Sequence, residues 1–84
     1  MKYNQEHNYI ETNDIALATT ICYFGGQIEE IDKSNPKRAK FIIKRSSHLD
    51  NVVRDYWSHS LQVEPSAFLN NLKEIKSRLY QIVE

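Results

Sequence analysis

The sequence predicts an α+β fold in the order β-α-β-β-α-α, with a three-stranded antiparallel sheet covered on one face by helices. Three observations predict it. Near the C-terminus, Phe68, Leu72, Ile75, Leu79 and Ile82 fall at steps of four, three, four and three, a strict helical stripe. In the stretch 46–61, Leu49, Val52, Val53, Tyr56, Trp57 and Leu61 recur at helical spacing on a second apolar face. Between these and the N-terminus, the run 38–44 (RAKFIIK) alternates as a strand does, with Phe41 and Ile43 to one side and Lys40, Ile42 and Lys44 to the other. Helix faces this apolar must be covered, and a sheet is the economical cover.

The elements follow in chain order. The polar stretch 1–6 is expected to fray, and a single domain is expected over 7–84. Residues 7–12 form a short strand centred on Tyr9 and Ile10. Thr12, Asn13 and Asp14 offer capping oxygens for a helix carrying Leu17, Ile21 and Phe24, with Asp14 in its first turn. Small Ala18 and Cys22 beside them let a neighbour approach. Gly25-Gly26 ends that helix, and a positive φ is expected at Gly25. A weakly patterned strand spans 27–32, a turn built on Asn35-Pro36 follows, and the strand 38–44 completes a hairpin. Ser46-Ser47 caps the next helix, with Asp50 placed as in a capping box. Trp57 is expected to lie buried between helices and sheet, so that Trp57→Ala costs about 3–5 kcal/mol. Pro65 suits the first position of the last helix. A right-handed crossover through the first helix followed by a hairpin puts the third strand in the middle of the sheet.

Composition removes several function classes. The chain has 84 residues with 11 basic and 11 acidic side chains, so it lacks the positive excess of a non-specific nucleic-acid coat. One cysteine, Cys22, excludes a disulfide framework and a Cys-only metal site within the chain and fits a reducing compartment. Its place near a helix C-terminus disfavours a thiolate. No apolar run is long enough for a signal peptide or a bilayer span, and a cytoplasmic location is expected.

The sharpest charge feature is basic. Lys33, Lys37, Arg38, Lys40, Lys44 and Arg45 lie in the stretch 33–45, which holds no acid, so over half of the 11 basic residues sit on one hairpin. Such a ribbon can neutralise phosphates or enter a major groove. The bland reading is an edge strand whose lysines discourage aggregation. His48 and His59, read as one helix face, stand about 16 Å apart, too far to share a metal ion. Asp55 and His59 are then an i, i+4 surface pair. Glu29, Glu30 and Asp32 are expected to pair with lysines across the hairpin. Gly25-Gly26 follows a helix and so fits no phosphate loop. Leu69, Lys76, Tyr80 and Val83 widen the last helix beyond its main stripe, into a surface for a second copy or a partner protein.

The stretches IETNDIALATTICYFG (10–25), DKSNPKRAKFIIKR (32–45) and YWSHSLQVEPSAFLNNLKEIKSRLY (56–80) together resemble a family of small single-domain proteins catalogued as a domain of unknown function. The resemblance covers roughly 9–80, and its most specific parts are the E-T-N-D-x-x-L-A helix start, the D-K-S-N-P turn, and the pattern in which Pro65 and Phe68 precede L-K-x-x-K-S-R-L-Y. It implies a stand-alone accessory protein of bacteria, including phage and mobile-element settings, and brings no catalytic or binding residues. The expected function is a non-enzymatic protein-interaction module, homodimeric or docking on a partner through the two C-terminal helices. The alternative is a nucleic-acid-binding accessory protein using the hairpin 33–45. No cofactor, metal, membrane or small-molecule substrate is expected.

Overall fold

Alternation along the best strand sets the architecture. The structure is a computed structural model and describes residues 8–35 and 37–80. Its elements are β1 (Tyr9–Thr12), α1 (Ile15–Tyr23), β2 (Ile28–Asp32), β3 (Lys40–Lys44), α2 (Ser47–Trp57) and α3 (Pro65–Tyr80). β3 lies in the middle, antiparallel to both neighbours, in the order β1-β3-β2. Phe41 and Ile43 are buried, as the alternation requires, and Thr12 and Ile10 of β1 stand opposite them. The other face carries Tyr9 opposite Lys44, Glu11 opposite Ile42 and Asp32 opposite Lys40.

β2 explains its own weak pattern. Ile28 and Ile31 are three apart, and on a regular strand they face opposite ways. The register slips between Ile28 and Glu30, so Ile28 pairs with Ile43 and Ile31 with Phe41. The extra residue, Glu29, is a β-bulge, and it returns both isoleucines to the core side.

α1 is the hub. Leu17, Ala18, Thr19, Thr20 and Ile21 are five consecutive buried residues, so this helix is covered nearly all round. The two threonines are satisfied within the helix: Thr19 Oγ1 donates to the Ile15 carbonyl and Thr20 Oγ1 to that of Ala16, both at 2.7 Å. α2 and α3 each pack against α1 and touch one another little. The connection 58–64 passes back over the helix, where Glu64 N–H donates to the Tyr23 hydroxyl at 2.9 Å and the Tyr23 ring lies against Phe24 and Phe68. Asp14 is the N-cap itself and not a first-turn residue, accepting from Ala16 N–H at 2.9 Å and Leu17 N–H at 3.3 Å.

The end of α1 uses both glycines. Gly25 N–H donates to the Cys22 carbonyl and Gly26 N–H to that of Ile21, a Schellman closure with Gly25 at φ +106°. α2 ends the same way without a glycine. His59 N–H donates to the Tyr56 carbonyl and Ser60 N–H to that of Asp55, and His59 takes the left-handed position at φ 60°.

Three expectations about α2 change. Ser46 caps it, accepting from Leu49 N–H, but Asp50 forms no capping box: it takes Arg45 Nε at 2.9 Å. The helix stops at Trp57, so His59 is off it, and neither the His48–His59 face nor the Asp55–His59 helix pair exists. Trp57 is 50 % exposed, where burial was expected. At about 100° per residue Trp57 lies about 80° round from Leu49, on the flank of the stripe. Tyr56 takes the inward place and donates its hydroxyl to Asp14 Oδ2 at 3.2 Å. Trp57 rests edge-on against the Tyr56 ring, 5.0 Å between centroids.

Pro65 opens α3, as its missing N–H allows, and Glu64 caps it through Oε1 on Ala67 N–H at 2.8 Å. Ile75 is its buried anchor, with Phe68, Leu72 and Leu79 half-buried around it. No helix among the described residues is long and apolar enough to cross a membrane. The stretch 1–6, the first residue of the strand expected over 7–12, Pro36, and the end of the expected domain at 81–84, with Ile82 and Val83, lie outside the described residues.

Candidate functional site

The basic hairpin does not act as one track. Lys33 Nζ donates to the Arg78 carbonyl at 3.3 Å, a cation at the C-terminal end of α3 where the helix dipole favours it. Lys40 pairs with Glu11 across the outer sheet face at 3.6 Å. Arg45 turns to Asp50 and is largely covered, its side chain 15 % exposed. The Asn13 amide, turned so that its oxygen faces Arg38, accepts from Nη2 at 2.6 Å and Nε at 3.2 Å. Lys37 and Lys44 are exposed. The turn is built on side chains: Asp32 Oδ1 accepts from Ser34 N–H at 2.9 Å and Asn35 Oδ1 from Lys37 N–H at 3.0 Å. The Ser34 hydrogen bond holds the Asp32 carboxyl below the usual carboxylate range. The acidic trio splits, since the bulge separates Glu29 from the register that sets Glu30 and Asp32 against β3.

On α3 an outward stripe runs beside the core stripe. Leu69, Lys73, Lys76 and Tyr80 follow at steps of four, three and four, all exposed, with Leu69 at 53 % and Tyr80 at 68 %. Among the described residues, Trp57 is the other large apolar helix side chain left half in solvent, and it belongs to α2 rather than to this stripe. Of the expected contact set, Leu69, Lys76 and Tyr80 thus share one face.

A shallow hollow lies on this stripe, lined by Lys73, Lys76, Ser77 and Tyr80, and two clefts lie between α3 and other elements. One, about 300 Å³, lies between the end of α1, the start of β2 and α3, and Cys22, Asn71, Glu74 and Arg78 line it. Burial pushes the Cys22 thiol up, against the opposing pull of the Arg78 guanidinium. Arg78 Nη2 donates to the Ile28 carbonyl at 3.2 Å and Asn71 Nδ2 to that of Ala67 at 3.0 Å, so these groups hold backbone rather than activate sulfur. The second cleft, about 320 Å³, lies where the start of α1, the residues before β3 and the end of α3 meet. Asn13, Lys37, Arg38, Lys76 and Tyr80 stand around it over an apolar floor that includes Leu79. Sequence reasoning named Lys37, Arg38, Lys76 and Tyr80 for two separate surfaces, and the fold brings them to one place. It missed Asn13, whose only sequence signal is its seat beside the cap residue Asp14.

His48 Nε2 lies 2.9 Å from the Phe24 carbonyl, a tie between α2 and the end of α1. Among the described residues no group of three His, Cys, Asp or Glu side chains is arranged to hold a metal ion.

The fold and its surfaces define a small two-layer α+β domain whose helical side presents an uncovered stripe. More particularly, the chain belongs to the family described as Domain of unknown function (DUF5659), whose model matches residues 7–81. No curated protein and no solved structure matches the chain.

Proposed function

We propose that this domain is a non-enzymatic accessory module of the cytoplasm that docks on protein through the outer stripe of α3, a second copy of the chain being the first partner to test. The single observation behind the reading is that Leu69 and Tyr80, 53 % and 68 % exposed, lie on one helix face separated from each other only by Lys73 and Lys76. A helix that has already buried Ile75 gains nothing within its own fold from Leu69 in water, and anchors spaced in this way are how one helix seats on another surface. Lys73 and Lys76 add specificity: their stems lie along apolar area while their ammonium groups select an acidic rim.

The alternative, nucleic-acid binding by 33–45, has less support. Four of its six basic residues (Lys33, Arg38, Lys40 and Arg45) are engaged by groups of the chain itself. Light scattering tests the leading reading. Wild type at increasing concentration should approach twice the monomer mass, and Leu69→Glu/Tyr80→Glu should stay monomeric with an unchanged circular dichroism spectrum. A wild type monomeric at millimolar concentration removes self-docking. Binding of a duplex oligonucleotide at physiological salt, lost in Lys37→Gln/Lys44→Gln, would favour the alternative.

A further inference from the structure

The second cleft gathers three positive charges. Lys37 and Arg38 come from the turn before β3, and Lys76 comes from α3, nearly forty residues away in the chain. Like charges converge at a cost, and the described residues around this cleft include no carboxylate. Among the described residues neither Lys37 nor Lys76 is in an ion pair. Arg38 is fixed rather than loose: the Asn13 oxygen grips its Nε and Nη2, which leaves Nη1 for a ligand. A guanidinium held by one edge offers the geometry that binds a carboxylate. Beneath the charges lie Ile15, Phe41 and Leu79, and at the rim stands the exposed ring of Tyr80.

We infer that this cleft is a binding site for an acidic peptide segment of a partner protein, one that presents carboxylates to Lys37, Arg38 and Lys76 and an apolar side chain to Leu79 and Tyr80. The proposal rests on the docking reading and names the partner's chemistry. The observations favour a peptide over a nucleic-acid strand. A strand needs a track of cations, and the neighbouring outer sheet face carries Glu11, Glu30 and Asp32. A peptide needs one compact charged spot with an apolar seat, and that is what these five side chains form.

The test is a titration of the nitrogen-15-labelled full chain, followed by amide chemical shifts, with acetyl-Glu-Glu-Phe-Glu-Glu-amide. Acetyl-Lys-Lys-Phe-Lys-Lys-amide and a twelve-residue oligothymidylate are the comparators. The acidic peptide should shift amides at 13–15, 37–41 and 76–80 in a saturable way at millimolar concentration, and the basic peptide should not. Lys37→Gln/Lys76→Gln removes two exposed charges and touches no buried group. It should weaken the acidic peptide at least tenfold while the rest of the spectrum stays in place. No shift in the cleft, equal affinity in the double variant, or a stronger response to the oligothymidylate would overturn the inference. Lys76 and Tyr80 border both surfaces, so the two readings are separated on the wild type, by its self-association without peptide and by its response to peptide. Self-association that persists without peptide binding sinks only the cleft. Peptide binding without self-association sinks only the second copy as occupant of the stripe.

Discussion

Replacing Gly26 by alanine tests the packing around α1 most sharply, and Gly25→Ala is its control. A Cβ on Gly26 would stand 2.5 Å from Ile21 Cγ2, 3.0 Å from the Ile21 carbonyl oxygen and 3.2 Å from Leu49 Cδ1. Carbon pairs prefer about 3.5–4.0 Å, so the methyl overlap is about 1 Å or more. Ile21 is fully buried and cannot swing aside. Its carbonyl cannot retreat either, because it accepts the Gly26 N–H at 2.9 Å and closes the helix. Overpacking of this kind costs about 1–3 kcal/mol, and two immovable neighbours put Gly26→Ala in the upper half of that range. Gly25 differs in kind. A Cβ there meets nothing within 4 Å, and the cost is the left-handed backbone alone, about 1 kcal/mol. A domain of this size gains about 4–13 kcal/mol from folding, so both changes are measurable. Urea unfolding followed by circular dichroism reads each as a shift in midpoint, and in heat about 2–3 kcal/mol lowers Tm by about 10–20 °C. A Gly26→Ala variant within about 0.5 kcal/mol of wild type, or less affected than Gly25→Ala, would refute the close approach of the helix end to Leu49.

Three further outcomes follow from the same structure. Trp57→Ala should cost only about 1–2 kcal/mol in urea, because half of the ring is already in water; a loss near 4 kcal/mol would show that it is buried. His59→Gly should stabilise the domain by about 0.5–1 kcal/mol by relieving a left-handed non-glycine residue at the end of α2, and a destabilised variant would mean that the imidazole holds that turn. Burial and the Asp14 carboxylate raise the Tyr56 pKa, so its contribution is whole below the unfolded value of about 10 and is lost as pH rises through the higher folded value. Tyr56→Phe should flatten that alkaline loss in melts recorded from pH 9 to 12, and an identical pH profile would contradict it.

The layout of the fold was legible because its punctuation is strong. Pro65 and Gly25 each force one backbone choice, and Phe41-Ile-Ile43 between lysines leaves one way to face a core. What stayed hidden depends on contacts between elements. A bulge at Glu29 has no local signature, since Ile28 and Ile31 make sense only against Ile43 and Phe41. Thr19 and Thr20 look like a polar face until their hydroxyls turn back on Ile15 and Ala16. Trp57 was misplaced because a period of 3.6 does not say where a stripe ends, and Tyr56 took the inner seat by bonding Asp14. Likewise, the hairpin's charges look continuous in the chain, but pleating and local partners send them in different directions. The surplus apolar residues of α3 were visible from spacing alone, whereas the cleft needed residues 13, 37–38 and 76–80 to meet.

The docking stripe itself is tested most directly by solvent paramagnetic relaxation of the Leu69 methyl and Tyr80 ring protons with a soluble gadolinium chelate. The account predicts strong relaxation of both in dilute protein and marked protection of both as concentration rises, while the ring protons of Trp57, outside the stripe, stay accessible. Leu69 and Tyr80 equally accessible from micromolar to millimolar protein, or protection at Trp57 alone, would contradict self-docking through α3.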